Sequence, residues 1–224
     1  ISAAPMFGNL SSFFWTRIAT GRSKIPMVVA LQTLVLLCVA AIALSPRSQA
    51  GAWILLTSVV ACRILIAGII TVRSVAWSLN YDRELRARAT GRLQAITSLT
   101  VVLTTSLAGL ILDAHPENFR WIYLAGALFG GIGVWLFRGV LVRGEKRHRV
   151  MERRGAQEGR RRDGFFEVLR KDTLYARYQL HQFISGTANM MLEPPLVYLV
   201  SKQLGASYVV SIGIVMLIPF TLNL

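Results

Sequence analysis

Two charged side chains sit where an apolar helix should hold none. Arg63 lies near the middle of the apolar stretch 52–77, and Glu193 lies well inside the stretch 175–200. A charge at the centre of a membrane helix costs about 2.5–3.5 kcal/mol on insertion scales. Each is therefore expected to face water, a ligand or a counter-charge. Glu193 belongs to a pattern: Gln182, Gly186, Asn189 and Glu193 follow at intervals of four, three and four residues. That spacing puts them on one stripe of a helix. Hydrocarbon cannot satisfy their hydrogen bonds, so the stripe must face protein or water. Pro194 and Pro195 come next; they lack amide donors, and a helix break is expected beside the carboxylate.

Two readings of these residues stand side by side. In one, Arg63, Gln182, Asn189 and Glu193 line a polar pathway and bind a solute, a proton or one another. In the other they fix helix packing through a buried ion pair or carbonyl-bonded cation. His181, nearer the helix end, fits an interfacial hydrogen bond or a proton relay. Small residues on the neighbouring stretches, Thr97, Thr100 and Thr104 on one and Gly126 and Gly130 on another, read as close-packing faces.

The elements that position these residues follow from hydropathy. Of 224 residues, 54% are hydrophobic, mean hydropathy is +0.50, and the formal charge is +14. Apolar stretches cover 1–15, 26–44, 52–77, 94–112, 121–142, 175–200 and the region from 208 onward. A spanning helix needs about 20 apolar residues, so an all-α, polytopic membrane bundle of about seven transmembrane helices is expected. Ser23 and Pro26 mark the start of the second helix.

Basic residues fill alternate gaps. The first holds Arg17, Arg22 and Lys24, the third Arg83, Arg86, Arg88 and Arg92, and the fifth has thirteen Lys and Arg between Arg138 and Arg177. The intervening gaps hold Arg47, Arg120 and Lys202 alone. By the positive-inside rule the rich gaps are cytoplasmic, which predicts a multi-pass protein of the inner (plasma) membrane with its central basic loop in the cytoplasm. Because the cations punctuate apolar runs and form no continuous patch with aromatic partners, the basic charge does not indicate nucleic-acid binding. Cys38 and Cys62 lie in apolar stretches without metal-ligand spacing and read as small packed hydrophobes. No metal site, cofactor loop or nucleophile–base arrangement is discernible.

The basic loops have a second reading. Gly21, flanked by Arg17, Arg22 and Lys24, permits a tight reversal, and the nearby cations can pin helix carbonyls or carboxylates. Arg83, Arg86, Arg88 and Arg92 lie on the same side, so the two loops can form one charge network closing that face. Solvated, topology-setting charge is the alternative. The segment 143–173, rich in Arg, Glu and Gly, is expected to be mostly mobile, with a surface helix near Phe165, Phe166, Val168 and Leu169. It divides the chain into a bundle over 1–142, a linker over 143–173 and the start of a second bundle over 174–224.

Gly21, Arg22 and Lys24, together with the long basic loop, resemble the major facilitator superfamily of secondary transporters. There, two six-helix bundles are joined by a long cytoplasmic loop, and a Gly-Arg turn connects the second and third helices. No acidic residue precedes Arg17, where that turn usually has one. The resemblance implies that the stretches are family helices two to eight, that helix one and the last four lie outside the chain, and that Arg63 and Glu193 stand on cavity-lining helices of opposite bundles. It further implies alternating-access transport of a small organic solute; the desolvated carboxylate of Glu193 is the candidate for proton coupling, with an uncoupled facilitator on the same scaffold, or a non-transport membrane-embedded enzyme or assembly subunit, as the alternatives. The partners expected are the lipid bilayer, the solute and protons.

Overall fold

A computed structural model describes residues 11, 14–46, 48–157, 167, 170–200, 205, 207 and 210. Among these the regular structure is helical. A short helix α1 (residues 14–19) leads into α2 (Lys24–Ala43), α3 (Gln49–Asn80) and α4 (Arg83–Ala114). A 3₁₀ turn at Pro116–Asn118 precedes α5 (Phe119–Phe137), and α6 (Glu145–Gln157) and α7 (Thr173–Tyr198) follow. Within the described residues α2, α3, α4 and α5 are long and apolar enough to cross a membrane. The 26 residues of α7 are long enough, but Gln182, Asn189 and Glu193 interrupt its apolar run. The stretches 1–10 and from 211 onward lie outside the described residues.

Each helix begins where its backbone donors find acceptors. Pro26 is tolerated as the third residue of α2 because the first four amides of a helix have no intrahelical partner. Ser48 caps α3 by accepting from the Gly51 amide at 3.4 Å. Asp82 and Glu84 bring negative charge to the positive end of α4.

Hydropathy places α3 and α4 correctly but underestimates both. At 32 residues each they reach about 48 Å, well beyond a hydrocarbon core of about 30 Å. Apolar counting sees only the membrane portion, whereas α4 starts at Arg83 because helical hydrogen bonding continues into water. The reverse holds for α5, which stops at Phe137 rather than Val142. Beyond it the side chain of Asn80 takes over the backbone groups, its amide donating to Leu141 O at 2.9 Å and its carbonyl accepting from Arg143 N at 2.8 Å.

The largest departure is α6. A segment expected to be mobile contains a helix over Glu145–Gln157. Its Glu, Lys, Arg, Met and Gln residues are good helix formers even though they bury little. Glu145 in the first turn and Arg154 in the last complement the helix dipole. Gly144, at φ +68°, makes the left-handed turn that admits the chain into it. The surface helix expected around residues 165–169 lies largely outside the described residues.

The core sits where α2 packs along α3 and α5. Ala19, Val28, Leu31, Ile69 and Val72 form its buried centre, with Trp15, Leu65 and Phe137 packed around it. Trp15 lies flat enough on α3 that a Cβ at Gly68 would come within 2.7 Å of its ring, and its indole donates to Ile64 O at 3.0 Å. At Gly130 a Cβ would meet Leu36 at 2.5 Å, so α5 closes on α2 there, as the small-residue pattern predicts. Gly126 instead faces an open crevice of about 530 Å³ between α4 and α5. Thr97, Thr100 and Thr104 bond back to carbonyls one turn earlier in α4, at 2.7–2.8 Å. Their hydroxyls are thus satisfied within the helix rather than by a neighbour. Exposed leucines at 99, 103, 107 and 110 leave α4 with an apolar outer face, as a helix surrounded by lipid or further helices requires.

Candidate functional site

A dense polar cluster lies at the basic end of the bundle, where α6 docks on the turn between α1 and α2. Gly21 has φ +69°, a conformation that costs any other residue about 1–2 kcal/mol. This tight reversal leaves the Gly21 amide and the first amides of α2 pointing outward without partners. Two carboxylates of α6 take them. Glu152 Oε2 accepts from Gly21 N at 2.6 Å, and Glu145 Oε1 accepts from Lys24 N at 2.5 Å. Negative charge at a helix N-terminus is also favoured by the dipole. Ser23, the natural cap of α2, makes no cap hydrogen bond and instead accepts from Arg149 Nη1 at 2.8 Å.

Lys24 is the centre of this cluster. It is only 2% exposed, and burying a cation requires compensation. Its Nζ donates to Ala19 O at 2.6 Å and to Glu152 at 2.9 and 3.2 Å. Arg153 Nε donates to Gly21 O at 3.2 Å, and its Cγ would lie 3.0 Å from a Cβ at position 21. His148 Nδ1 stands 3.5 Å from Glu152 Oε1. Burial raises the Glu152 carboxyl, but hydrogen bonds from Gly21 and Lys24 and the charges of Lys24 and His148 outweigh it. The net result is a carboxyl held below its usual value of 4.5.

The second basic loop is organised differently. Arg86 Nη2 donates to Ser78 O at 3.3 Å and Tyr81 O at 3.2 Å, covering the carbonyl end of α3. Arg88 and Arg92 are exposed along α4; Arg17 and Arg22 are exposed beside the first turn. Gly21 and Lys24 pair with α6, and the second loop reaches the same region through Asn80 and the connection leading into α6. Carboxylates decide this arrangement, because cations on two loops repel unless acids lie between them.

Glu145, Glu152, Arg149 and Arg153 were not singled out by sequence reasoning. A signal did exist: acids seven residues apart, with His148 and Arg149 between them, share one helical face.

Arg63 is placed by its neighbour. Cys62 Sγ lies 3.9 Å from Val35 O, eleven residues along α2 from Lys24 and so about 17 Å above its start. The midpoint of a spanning helix falls at that height. The Arg63 side chain is exposed there and makes no hydrogen bond or ion pair among the described residues.

The expected break at Pro194 and Pro195 does not end α7, which continues as helix to Tyr198 and into a π turn at residues 199–200. Prolines remove the amides that would bond the carbonyls of Met190 and Met191, yet bonds on either side of the pair can keep the helix continuous. Gln182, Asn189 and Glu193 lie on the same helix at their predicted spacing, their side chains outside the described residues.

A family model for the Major Facilitator Superfamily matches residues 1–224. Comparisons with curated proteins and with solved structures return no match. With four apolar spans among its described helices and a family match along its whole length, the chain belongs to the Major Facilitator Superfamily of membrane transporters.

Proposed function

We propose that the protein is a secondary active transporter moving a small organic solute by alternating access, with protons as the coupling ion. Arg63 carries this reading: a guanidinium at mid-height of the bundle, exposed and without an ion-pair partner among the described residues. Such a charge is tolerable in a bilayer only against water or a counter-charge, so α3 turns it toward an aqueous pathway, where it binds an anionic group of the solute. Glu193, with Gln182 and Asn189 on the same stripe of α7, carries the proton. The basic face is cytoplasmic by the positive-inside rule. Residues 1–142 and 174–224 belong to two bundles that rock against each other across the 143–173 linker, and the α6 cluster holds the cytoplasmic end of the first bundle as a unit.

The test is transport by the full-length protein in vesicles, with a panel of small organic solutes and an imposed pH gradient. Gradient-driven accumulation that Glu193→Gln abolishes, while solute exchange persists, supports the proposal. Accumulation insensitive to the gradient makes the protein an uncoupled facilitator and removes Glu193 from the mechanism.

A further inference from the structure

A second cavity, of about 270 Å³, opens at the basic end of α3, between the start of α2 and the end of α5. Its apolar wall comes from Ile25, Phe137 and Val140, and its polar groups from Arg73, Trp77 and Tyr81. Asn80 also borders it, but its amide is engaged by Leu141 and Arg143. Arg73 lies seven residues before the end of α3, about 10 Å along the axis, and shares the cavity with Ile25, the second residue of α2. That is the level at which hydrocarbon gives way to headgroups.

Three features define the ligand. The first is charge. The Arg73 guanidinium makes no hydrogen bond or ion pair among the described residues, and no carboxylate lines the cavity. Arg86 covers the nearby carbonyls of Ser78 and Tyr81, which offsets part of the negative end of the α3 dipole. The second is the aromatic pair. Trp77 and Tyr81 stack with ring centroids 5.3 Å apart, and neither the indole N–H nor the phenol has a partner among the described residues. Rings of this kind favour the membrane interface, with an apolar body and a polar tip. The third is size. The cavity has the volume of roughly nine waters at 30 Å³ each. It can take a small phosphate-containing headgroup while acyl chains extend along the exposed apolar helix faces.

We propose that this cavity binds the phosphodiester headgroup of an anionic phospholipid from the leaflet on the basic side. Arg73 forms the charge-assisted contact, and Trp77 and Tyr81 act as supporting donors. The site is independent of the transport pathway proposed at Arg63 and Glu193.

Native mass spectrometry of the full-length protein, released from neutral detergent containing phosphatidylglycerol and phosphatidylcholine, provides the test. One phosphatidylglycerol should be retained in preference to phosphatidylcholine, and Arg73→Gln should weaken that retention about tenfold. Arg73→Lys, which keeps the charge but loses the forked geometry, should fall between them. Inorganic phosphate or glycerol phosphate at millimolar concentration should not displace the lipid. Displacement by either would make the ligand a soluble anion and overturn the lipid assignment. Equal retention of the two lipids by wild type, a measurement that needs no variant to fold, would overturn it as well. So would full retention by a folded Arg73→Gln protein.

Discussion

Replacing Glu152 by Gln should undock α6 from the turn between α1 and α2. The variant keeps the shape of the side chain but removes the charge that offsets Lys24, leaving a 2%-exposed ammonium with only neutral acceptors, Ala19 O and the amide oxygen of the new side chain. Removing one member of a fully buried ion pair costs about 3–5 kcal/mol. The Glu152 side chain is 16% exposed, so water can reach the site and the effect falls to about 2–3 kcal/mol. At 1.4 kcal/mol per tenfold, amide hydrogens of α6 whose opening is limited by docking should exchange about 30- to 140-fold faster. Lys24→Met should have a smaller effect, about 1–2 kcal/mol, because Glu152 still accepts from Gly21 N at 2.6 Å. The double variant should then reveal a coupling of about 1.5–3 kcal/mol between the two residues. Hydrogen exchange resolved to α6 peptides measures all four corners of this cycle. If α6 exchange rises less than about threefold in Glu152→Gln, or if the two effects simply add, Lys24 and Glu152 do not hold the helix in place.

Two further predictions concern the same cluster. Because the Glu152 carboxyl is held below 4.5, its contribution to docking is fully present above that value and is lost as pH falls through the lower folded value. Exchange of α6, corrected for intrinsic rates, should therefore rise in acid, a dependence Glu152→Gln should reduce, with Glu145 on Lys24 N supplying the remainder. Gly21→Ala should destabilise the turn by about 1–2 kcal/mol, because φ is +69° and the new Cβ would press on Arg153 at 3.0 Å. A lower melting temperature together with faster α6 exchange checks this, whereas wild-type values of both would remove the strain argument.

Hydropathy and charge spacing made the membrane helices legible because the bilayer imposes a local rule. Twenty apolar residues must be contiguous whatever the tertiary structure, so α2 to α5 lie close to where composition puts them. The ends were less legible. α4 begins eleven residues before its apolar stretch, and α5 stops where Asn80, distant in sequence, takes over its backbone partners. The α6 latch was least visible. Its residues look solvated and repulsive in sequence, and Glu145 and Glu152 gain meaning only once Gly21 turns the chain and presents unpaired amides to them. Arg63 was legible as a misplaced charge, and the contact of Cys62 with Val35 places it at mid-depth. Continuation of α7 past Pro194 and Pro195 was not legible, since local propensity favours a break that the helix absorbs.

The central claim, proton-coupled transport through Glu193, is tested most directly by proton movement itself. Full-length protein in vesicles loaded with a pH-sensitive dye should carry protons inward when at least one of a panel of small organic anions is added outside. Glu193→Gln should abolish that signal while leaving counterflow exchange of the same anion intact. A proton signal of undiminished size in Glu193→Gln would contradict the account.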